Sequence, residues 1–249
     1  MPNYKQIAAD ARKKVLDLIY QAQTSHIGSN FSAIDIMAVL FEKVDPNKDE
    51  VVLSAGWKAA AWYYFLWCKG IITEEELNSF CMSGSPFIGL VEPMNRWGFR
   101  IAGGSMGLGI CGAVGLALAK KLKKEEGNVY CLVSDGEMQC GTTWESYLIA
   151  EQHKLDNLVV ITDGNKLQAM GKVEEILSIK ELQDEELIDG HDYLQIEDAI
   201  KRKRTGPTWI YAHTVKGKGV SFMENNNLYH YKAPSKEEYS LAKKELENV

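Results

Sequence analysis

The chain has 249 residues, a formal net charge of −6, 45% hydrophobic and 25% charged residues. That mix excludes a mainly disordered chain, and the acidic balance gives no electrostatic footprint for nucleic acid. The longest apolar run, 59–68, is ten residues and too short to span a bilayer as a helix. The start, MPNYKQIAADARKK, has no apolar signal-peptide core. Five cysteines, an odd number without a CxxC pair, argue against structural zinc and a disulfide framework and for a reducing, cytoplasmic setting. Cys111 and Cys131 lie in apolar stretches and read as small buried hydrophobes.

No internal repeat appears. Residues 5–23 carry Ile7, Ala11, Val15, Leu18 and Ala22 on one helical face. A loop over 24–31 with His26 and Gly28 follows, and Ser32 is a cap for a helix over 33–42. Residues 51–53 read as a short strand ending at Ser54-Ala55-Gly56. Residues 59–69 read as a very apolar helix with Gly70 as its C-cap. Its stripe of Trp62, Tyr63, Phe65 and Trp67 reads as core or subunit interface. The stretch 81–103 is irregular. A glycine-rich segment, 103–109, then opens a small-residue helix to about Lys124, and 120–126 is a solvated charge run. Strands are predicted at 128–134, 158–162 and 208–215, and helices at 144–154, 174–180 and 197–204. Residues 135–141 and 216–219 read as loops.

Apolar strands alternating with helices argue for a parallel sheet covered on both faces. In such sheets ligands sit beyond the carboxyl ends of the strands. The residues there are 134–137, 163–165 and 214–217. Asp135 and Asn165 follow two strands separated by one crossover, so a carboxylate and an amide oxygen converge on one crevice. Hard oxygens flanked by Gly136 and Gly164 suit an octahedral divalent ion that also takes phosphate oxygens. The same residues also fit simple turn caps, and the residues alone leave both readings open.

SDG at 134–136 followed by DGN at 163–165 resembles the thiamine-diphosphate and Mg²⁺ signature of the transketolase family. HIGSNFSAIDIMAVLF, GSMGLGICGAVGLALAKKL, SDGEMQCGTTWESYLIAEQHKLDNL, TDGNKLQAMG and GPTWIYAHTVKGKGVSFMENNNLYHYKAPSKEEY look like family segments in family order, and they span residues 26–239. The length is similar to that of the N-terminal subunit of split transketolases. The resemblance implies an α/β thiamine-diphosphate-binding fold, with helices on both faces of a parallel sheet, in one domain over 1–249.

It also implies roles. Asp135, Asn165 and the backbone oxygen of Leu167 match Mg²⁺ ligands, with Ca²⁺ as an alternative ion. Gly136 matches the glycine at the diphosphate. Asn165, Glu137 beside the metal loop and Lys216 in its glycine loop are placed with it, although Lys216 and Lys218 equally read as solvated loop lysines. Gly104 and Met106 match the stretch beside the aminopyrimidine ring. His26 and His230 match two histidines near the reactive carbon and the substrate hydroxyls, where imidazoles shuttle protons or donate to an alkoxide. His153 reads as a surface side chain, His191 as part of a structural turn, and His213 as packed or interfacial. Glu145 matches a glutamate of the subunit interface.

The implied reaction moves a two-carbon unit from a ketose-like donor to an aldehyde. It needs a separate C-terminal, pyrimidine-binding subunit, in an α2β2 heterotetramer, with neither nucleic acid nor membrane as partner. Several positions depart from the pattern. Trp57 and Leu90 stand where histidines are common, one near the phosphates and one at the donor's terminal hydroxyl. Cys140 and Arg100 replace glutamates, and Leu108 replaces a glutamine. Leucine donates no hydrogen bond. Acyl transfer from a 2-oxo acid such as pyruvate, and a non-catalytic partner subunit, therefore stay open as alternatives.

Overall fold

The structure, a computed structural model, describes residues 2–178, 182, 185–202 and 204–247. Strands β1 (Glu50–Leu53), β2 (Val129–Ser134), β3 (Leu158–Gly164), β4 (Glu186–Asp189) and β5 (Thr208–His213) form one sheet in the order β1-β2-β3-β5-β4. Every pairing is parallel, and Ser134 on β2 lies opposite Asp163 on β3. The helices are α1 (Tyr4–Ala22), α2 (Ile27–Lys43), α3 (Ala59–Cys68), α4 (Glu74–Asn78), α5 (Gly109–Lys123), α6 (Gly141–Gln152), α7 (Val173–Ile176), α8 (Tyr193–Lys201) and α9 (Lys236–Glu247).

Alternation along the strands divides the core. Val51, Leu53, Tyr130, Leu132, Val159, Ile161, Ile210 and Ala212 pack with α1, α2, α3, α8 and α9. Val52, Val129, Cys131, Val133, Leu158, Val160 and Trp209 pack with α5 and α6 on the other face. The sheet is thus covered on both sides, as its near-continuous apolar strands require. Each fully buried Val, Leu or Ile contributes about 1.5–3 kcal/mol. Trp62, Tyr63 and Phe65 lie wholly inside the first core and Trp67 is half-buried. No helix among the described residues is long and apolar enough to cross a membrane.

Some boundaries differ from the sequence reading. Helix α2 starts at Ile27, not at 33, and Ser32 lies inside it rather than capping it. The start is fixed by one tertiary contact and one local one. The His26 N–H donates to the His230 carbonyl at 2.8 Å, and Asn30 Nδ2 donates to the His26 carbonyl at 2.9 Å. Gly70 lies one residue past the C-cap of α3, in the left-handed conformation (φ 71°). Of the helix expected over 174–180, α7 ends at Ile176, and residues 179 and 180 lie outside the described residues. Cys131 is buried as expected, but Cys111 is exposed, because the outer face of α5 points away from the sheet. His213 is exposed at the end of β5, with its ring 5.0 Å from that of Tyr211, so it is not core, and of the packed or interfacial readings only the interfacial one still fits.

An ion pair joins α1 to α2: Arg12 donates to Asp35 through Nη1 at 3.1 Å and Nη2 at 2.5 Å, and both residues are buried. Burial by itself would push the Asp35 carboxyl up, but His191 and Arg12 outweigh it and hold the group at about 2. An unfolded aspartate titrates near 3.9, about 2 units higher, which corresponds to about 2–3 kcal/mol. Because the folded value is the lower one, that stabilisation is present above about pH 4 and is lost as the pH falls through about 2. Urea unfolding between these limits should show the loss, and Asp35→Asn should flatten it. An Asp35→Asn variant as acid-sensitive as the wild type would refute the assignment.

Candidate active site

The sheet brings the carboxyl ends of β2 and β3 side by side, and Asp135 and Asn165 follow directly from them. Asp135 is buried, and its two oxygens accept the Gly136 N–H at 2.8 Å and the Lys166 N–H at 2.5 Å. Burial, followed by the nearby Asp163 carboxylate, pushes its carboxyl up to about 7. Asn165 donates from Nδ2 to Asp163 Oδ2 at 3.2 Å and to Ser32 Oγ at 3.3 Å. Its Oδ1 therefore points the other way, where it accepts the Leu167 N–H at 3.1 Å.

Sequence reasoning placed Asp163 at the strand end but missed the ion pair with Lys58 that makes it fix this amide. Asp163 is fully buried and is paired with Lys58, whose Nζ lies 2.6 Å from Oδ2 and is itself fully buried. Ser32 donates to the same oxygen at 2.6 Å, and Thr214 donates to Oδ1. Burial opposes ionisation of Asp163, but Lys58 first and then the hydroxyl donors hold its carboxyl below the ordinary range. Lys58 also donates to the Ser29 carbonyl at 3.2 Å. One buried ion pair thus links α2, the turn before α3, β3 and the segment after β5.

Lys216 is fully buried, which excludes the solvated-loop reading for it, while Lys218 is half-exposed. The Lys216 ammonium donates to the Leu167 carbonyl at 3.2 Å, Asn227 Oδ1 at 3.2 Å and His230 Nδ1 at 2.9 Å. Burial, then the charge of Lys58, lowers it to about 8. His26 and His230 stand together, with ring centroids 5.0 Å apart. Burial first, then neighbouring lysine charge, lowers His26 to about 4 and His230 to about 3, so both rings are neutral at pH 7. Since Nδ1 of His230 accepts from Lys216, the ring proton of His230 sits on Nε2. His26 precedes α2 in the left-handed conformation (φ 72°) and contacts Ser25 Oγ through Nδ1 at 2.7 Å.

The glycine-rich turn closes the crevice from the β1 side. A Cβ on Gly103 would lie 2.1 Å from the Leu53 carbonyl oxygen, so only glycine lets this strand end and turn approach. A Cβ on Gly136 would meet Met106 Cε at 3.1 Å, which places Met106 over the turn after β2. Gly104 lies against Leu90, where a Cβ would meet a leucine methyl at 2.7 Å. Glu137 is fully buried and does not face the crevice. Its oxygens accept from Ser54 Oγ, from Gly107 N–H at 3.2 Å and from Ser134 N–H at 2.9 Å. Every one of these donors comes from a segment that Glu137 ties together: the residue after β1, the glycine-rich turn and the end of β2.

The structure thus gathers Asp135, Gly136, Asn165, Leu167, Lys216, His26 and His230, with Gly104 and Met106 on the facing turn. Among the described residues no three His, Cys, Asp or Glu side chains converge, so beyond the Asp135 carboxylate a cation here would depend on amide and carbonyl oxygens. The residues present suit a metal and a diphosphate. Lys216 already places positive charge on the Leu167 carbonyl. Gln168, packed against Gly136, keeps a buried Nε2 donor without a partner among the described residues.

Comparison with known proteins agrees. Residues 3–247 match the family described as transketolase, thiamine diphosphate binding domain. An apulose-4-phosphate transketolase subunit from Phocaeicola vulgatus is 33% identical, over 94% of this chain and 90% of the relative. The 6-deoxy-6-sulfo-D-fructose transketolase subunit SqwG of Clostridium sp. is 32% identical, over 95% and 93%. The crystal structure of transketolase from Campylobacter jejuni superposes with a TM-score of 0.91 at 28% identity, covering 99% of this chain. This chain spans only 43% of that longer protein. The chain belongs to the transketolase family, as a transferase subunit built from its thiamine diphosphate-binding domain.

Proposed function

We propose that this chain is the diphosphate-binding subunit of a two-chain transketolase that moves a two-carbon unit from a ketose-like donor to an aldehyde. The observation that carries this reading is the convergence of Asp135, Asn165 and the Leu167 carbonyl with Lys216 at the ends of two adjacent strands. These hard oxygens suit Mg²⁺, and Ca²⁺ accepts the same donors. Relatives named for apulose-4-phosphate and for a sulfofructose support a ketose-type donor. Their designation as subunits supports a separate partner that carries the pyrimidine-binding half, paired with residues 1–249 as one domain in an α2β2 assembly. Exposed Leu108, Leu122, Leu148 and Ile149 on and beside α5 and α6 give such a partner an apolar contact.

Thiamine diphosphate supplies the carbanion chemistry when bound. The chain's own residues supply charge and protons. Asp135, Asn165 and Leu167 hold the ion, and Lys216 balances phosphate charge. Gly136 and Gln168 border the diphosphate, with Gly104 and Met106 beside the ring. His26 and His230, neutral and side by side, hold substrate oxygens and pass a proton from His230 Nε2.

Leu90 favours a second reading. It forms an apolar wall against Gly104 and is 38% exposed, which suits the methyl ketone of pyruvate and hence acyl transfer. The enzyme reconstituted with its partner, thiamine diphosphate and Mg²⁺ should be offered an aldehyde with a ketose phosphate or with pyruvate. Two-carbon transfer from the ketose supports the main reading. Turnover of pyruvate alone replaces it with acyl transfer, and cofactor binding without turnover of either makes the chain a non-catalytic partner. Leu90→His is expected to raise kcat/KM for hydroxymethyl ketones about two- to tenfold, the worth of one added hydrogen bond. Unchanged kinetics would remove Leu90 from donor selection.

A further inference from the structure

A buried charged group outside the crevice grips the loop that carries Lys216. Asp35 is its centre. Besides Arg12, it accepts from Tyr193 OH at 2.9 Å and from His191 Nδ1 at 2.7 Å. The other nitrogen of His191, Nε2, accepts the Val215 N–H at 2.9 Å. That acceptor role puts the ring proton on Nδ1, facing the carboxylate. Arg12, while paired with Asp35, donates from Nε to the Lys218 carbonyl at 2.9 Å. The same three side chains therefore hold the residue before Lys216 and the residue two beyond it.

Lys216 needs such holding. Its four-carbon stem is flexible, yet its ammonium meets three acceptors on two separate segments, the Leu167 carbonyl after β3 and the Asn227 and His230 side chains of one short turn. Other bonds also anchor this loop: the Gly217 N–H to the Gly28 carbonyl at 2.9 Å, the Asn225 N–H to the Lys216 carbonyl at 2.8 Å, the Gly219 N–H to Glu224 Oε1 at 3.0 Å and, just before the loop, the Thr214 hydroxyl to Asp163. The anchors through Arg12 and His191 are the ones that bracket Lys216, and both run through one carboxylate, that of Asp35.

We propose that Arg12, Asp35 and His191 form a positioning clamp for Lys216, acting on cofactor binding without touching the cofactor. The clamp rests on the reading above, in which Lys216 faces the diphosphate. His191 is a positioning residue, and a turn motif that looks merely structural in sequence acquires a functional task.

The test measures the Kd of thiamine diphosphate calorimetrically, with Mg²⁺, on the enzyme reconstituted with its partner. Urea unfolding of each variant confirms that it is folded under the assay conditions. His191→Asn keeps a donor near Asp35 but does not reach Val215, and His191→Gln keeps an acceptor at the far position. His191→Asn should weaken binding roughly tenfold, the low end of effects for residues that orient a ligand's direct contacts, and His191→Gln should restore most of it. Added to Lys216→Met, His191→Asn should cause little further loss, because both changes remove one contribution. Losses that multiply in the double variant, or an unchanged Kd for His191→Asn where Lys216→Met weakens binding, overturn the clamp alone. A Lys216→Met enzyme that binds like the wild type overturns the reading beneath it as well. Should His191→Asn fold poorly, Arg12→Lys tests the other end of the loop. It keeps a charge for Asp35 and removes the bond to Lys218, and binding unchanged from the wild type would again overturn the clamp.

Discussion

Asp135→Asn is expected to remove the transferase activity of the reconstituted enzyme while leaving the chain folded. Both carboxylate oxygens of Asp135 accept backbone N–H groups, from Gly136 and Lys166. An amide offers one acceptor in their place, so one of the two N–H groups loses its partner. That costs roughly 1–3 kcal/mol of stability, within what a folded domain of this size tolerates. The functional loss is larger. Under the proposed reading Asp135 is the one negatively charged side chain among the three protein ligands, and a neutral amide weakens a hard divalent ion's site directly. Residues that only support metal ligands already cost about 10–100-fold when changed, so loss of the charged ligand should reach at least about a hundredfold. Calorimetry of Mg²⁺ and cofactor binding, beside thermal unfolding, separates the two effects. Activity within threefold of the wild type, with normal cofactor binding, would show that Asp135 is a turn residue and that the metal lies elsewhere.

The placement of Asp135 and Asn165 was legible because it depends on local patterns. Strands β2 and β3 are uninterrupted apolar runs that stop at Asp-Gly or Asp-Gly-Asn, and parallel strands joined by one helix end on the same edge. Helix α1 was legible through its spacing of apolar residues. What escaped is held by partners far away in the chain. Lys58 opens a run of alanines and aromatics and reads as the start of an apolar helix, yet its ammonium turns inward to a carboxylate 105 residues later. No side chain caps the first residues of α2, and the turn that leads into it is held by the His26 N–H to the distant His230 carbonyl. Lys216 reads in the sequence equally as a cofactor contact and as a solvated lysine, because its acceptors, Leu167, Asn227 and His230, all lie outside its own loop. Strand β4 is only four residues, with acids at both ends, so it lacks an apolar run. Helix α9 did carry a signal: Ser235 and Glu238 cap each other reciprocally, with Glu238 N–H to Ser235 Oγ at 3.2 Å and Ser235 N–H to Glu238 Oε2 at 2.8 Å.

Lys58→Met is expected to produce the largest loss of stability, about 3–5 kcal/mol, the range for removing one partner of a buried ion pair. Methionine fills a comparable volume, so the loss reports charge rather than a cavity. Without Lys58, Asp163 keeps the donors from Ser32, Thr214 and Asn165, but its negative charge lies fully buried beside Asp135 with no cation against it. Asp163→Asn alone leaves the Lys58 ammonium buried and unpaired, and should cost a similar amount. The double variant removes both charges together, and its loss should fall short of the sum of the single losses by more than about 1 kcal/mol, since contacting residues couple by about 0.5–3 kcal/mol. Urea unfolding of the four proteins gives the cycle. A Lys58→Met protein within about 1 kcal/mol of the wild type, or strictly additive losses, would show that the pair is not a structural anchor. The pair also reaches the site, because Asp163 takes the amide hydrogens of Asn165 and so turns Oδ1 toward the place proposed for the ion. The double variant, though its stability is partly restored, should therefore bind Mg²⁺ and thiamine diphosphate more weakly than the wild type. The Asp163→Asn change puts an amide that both donates and accepts in place of a group that only accepts, and the Asn165 side chain is no longer held in a single orientation.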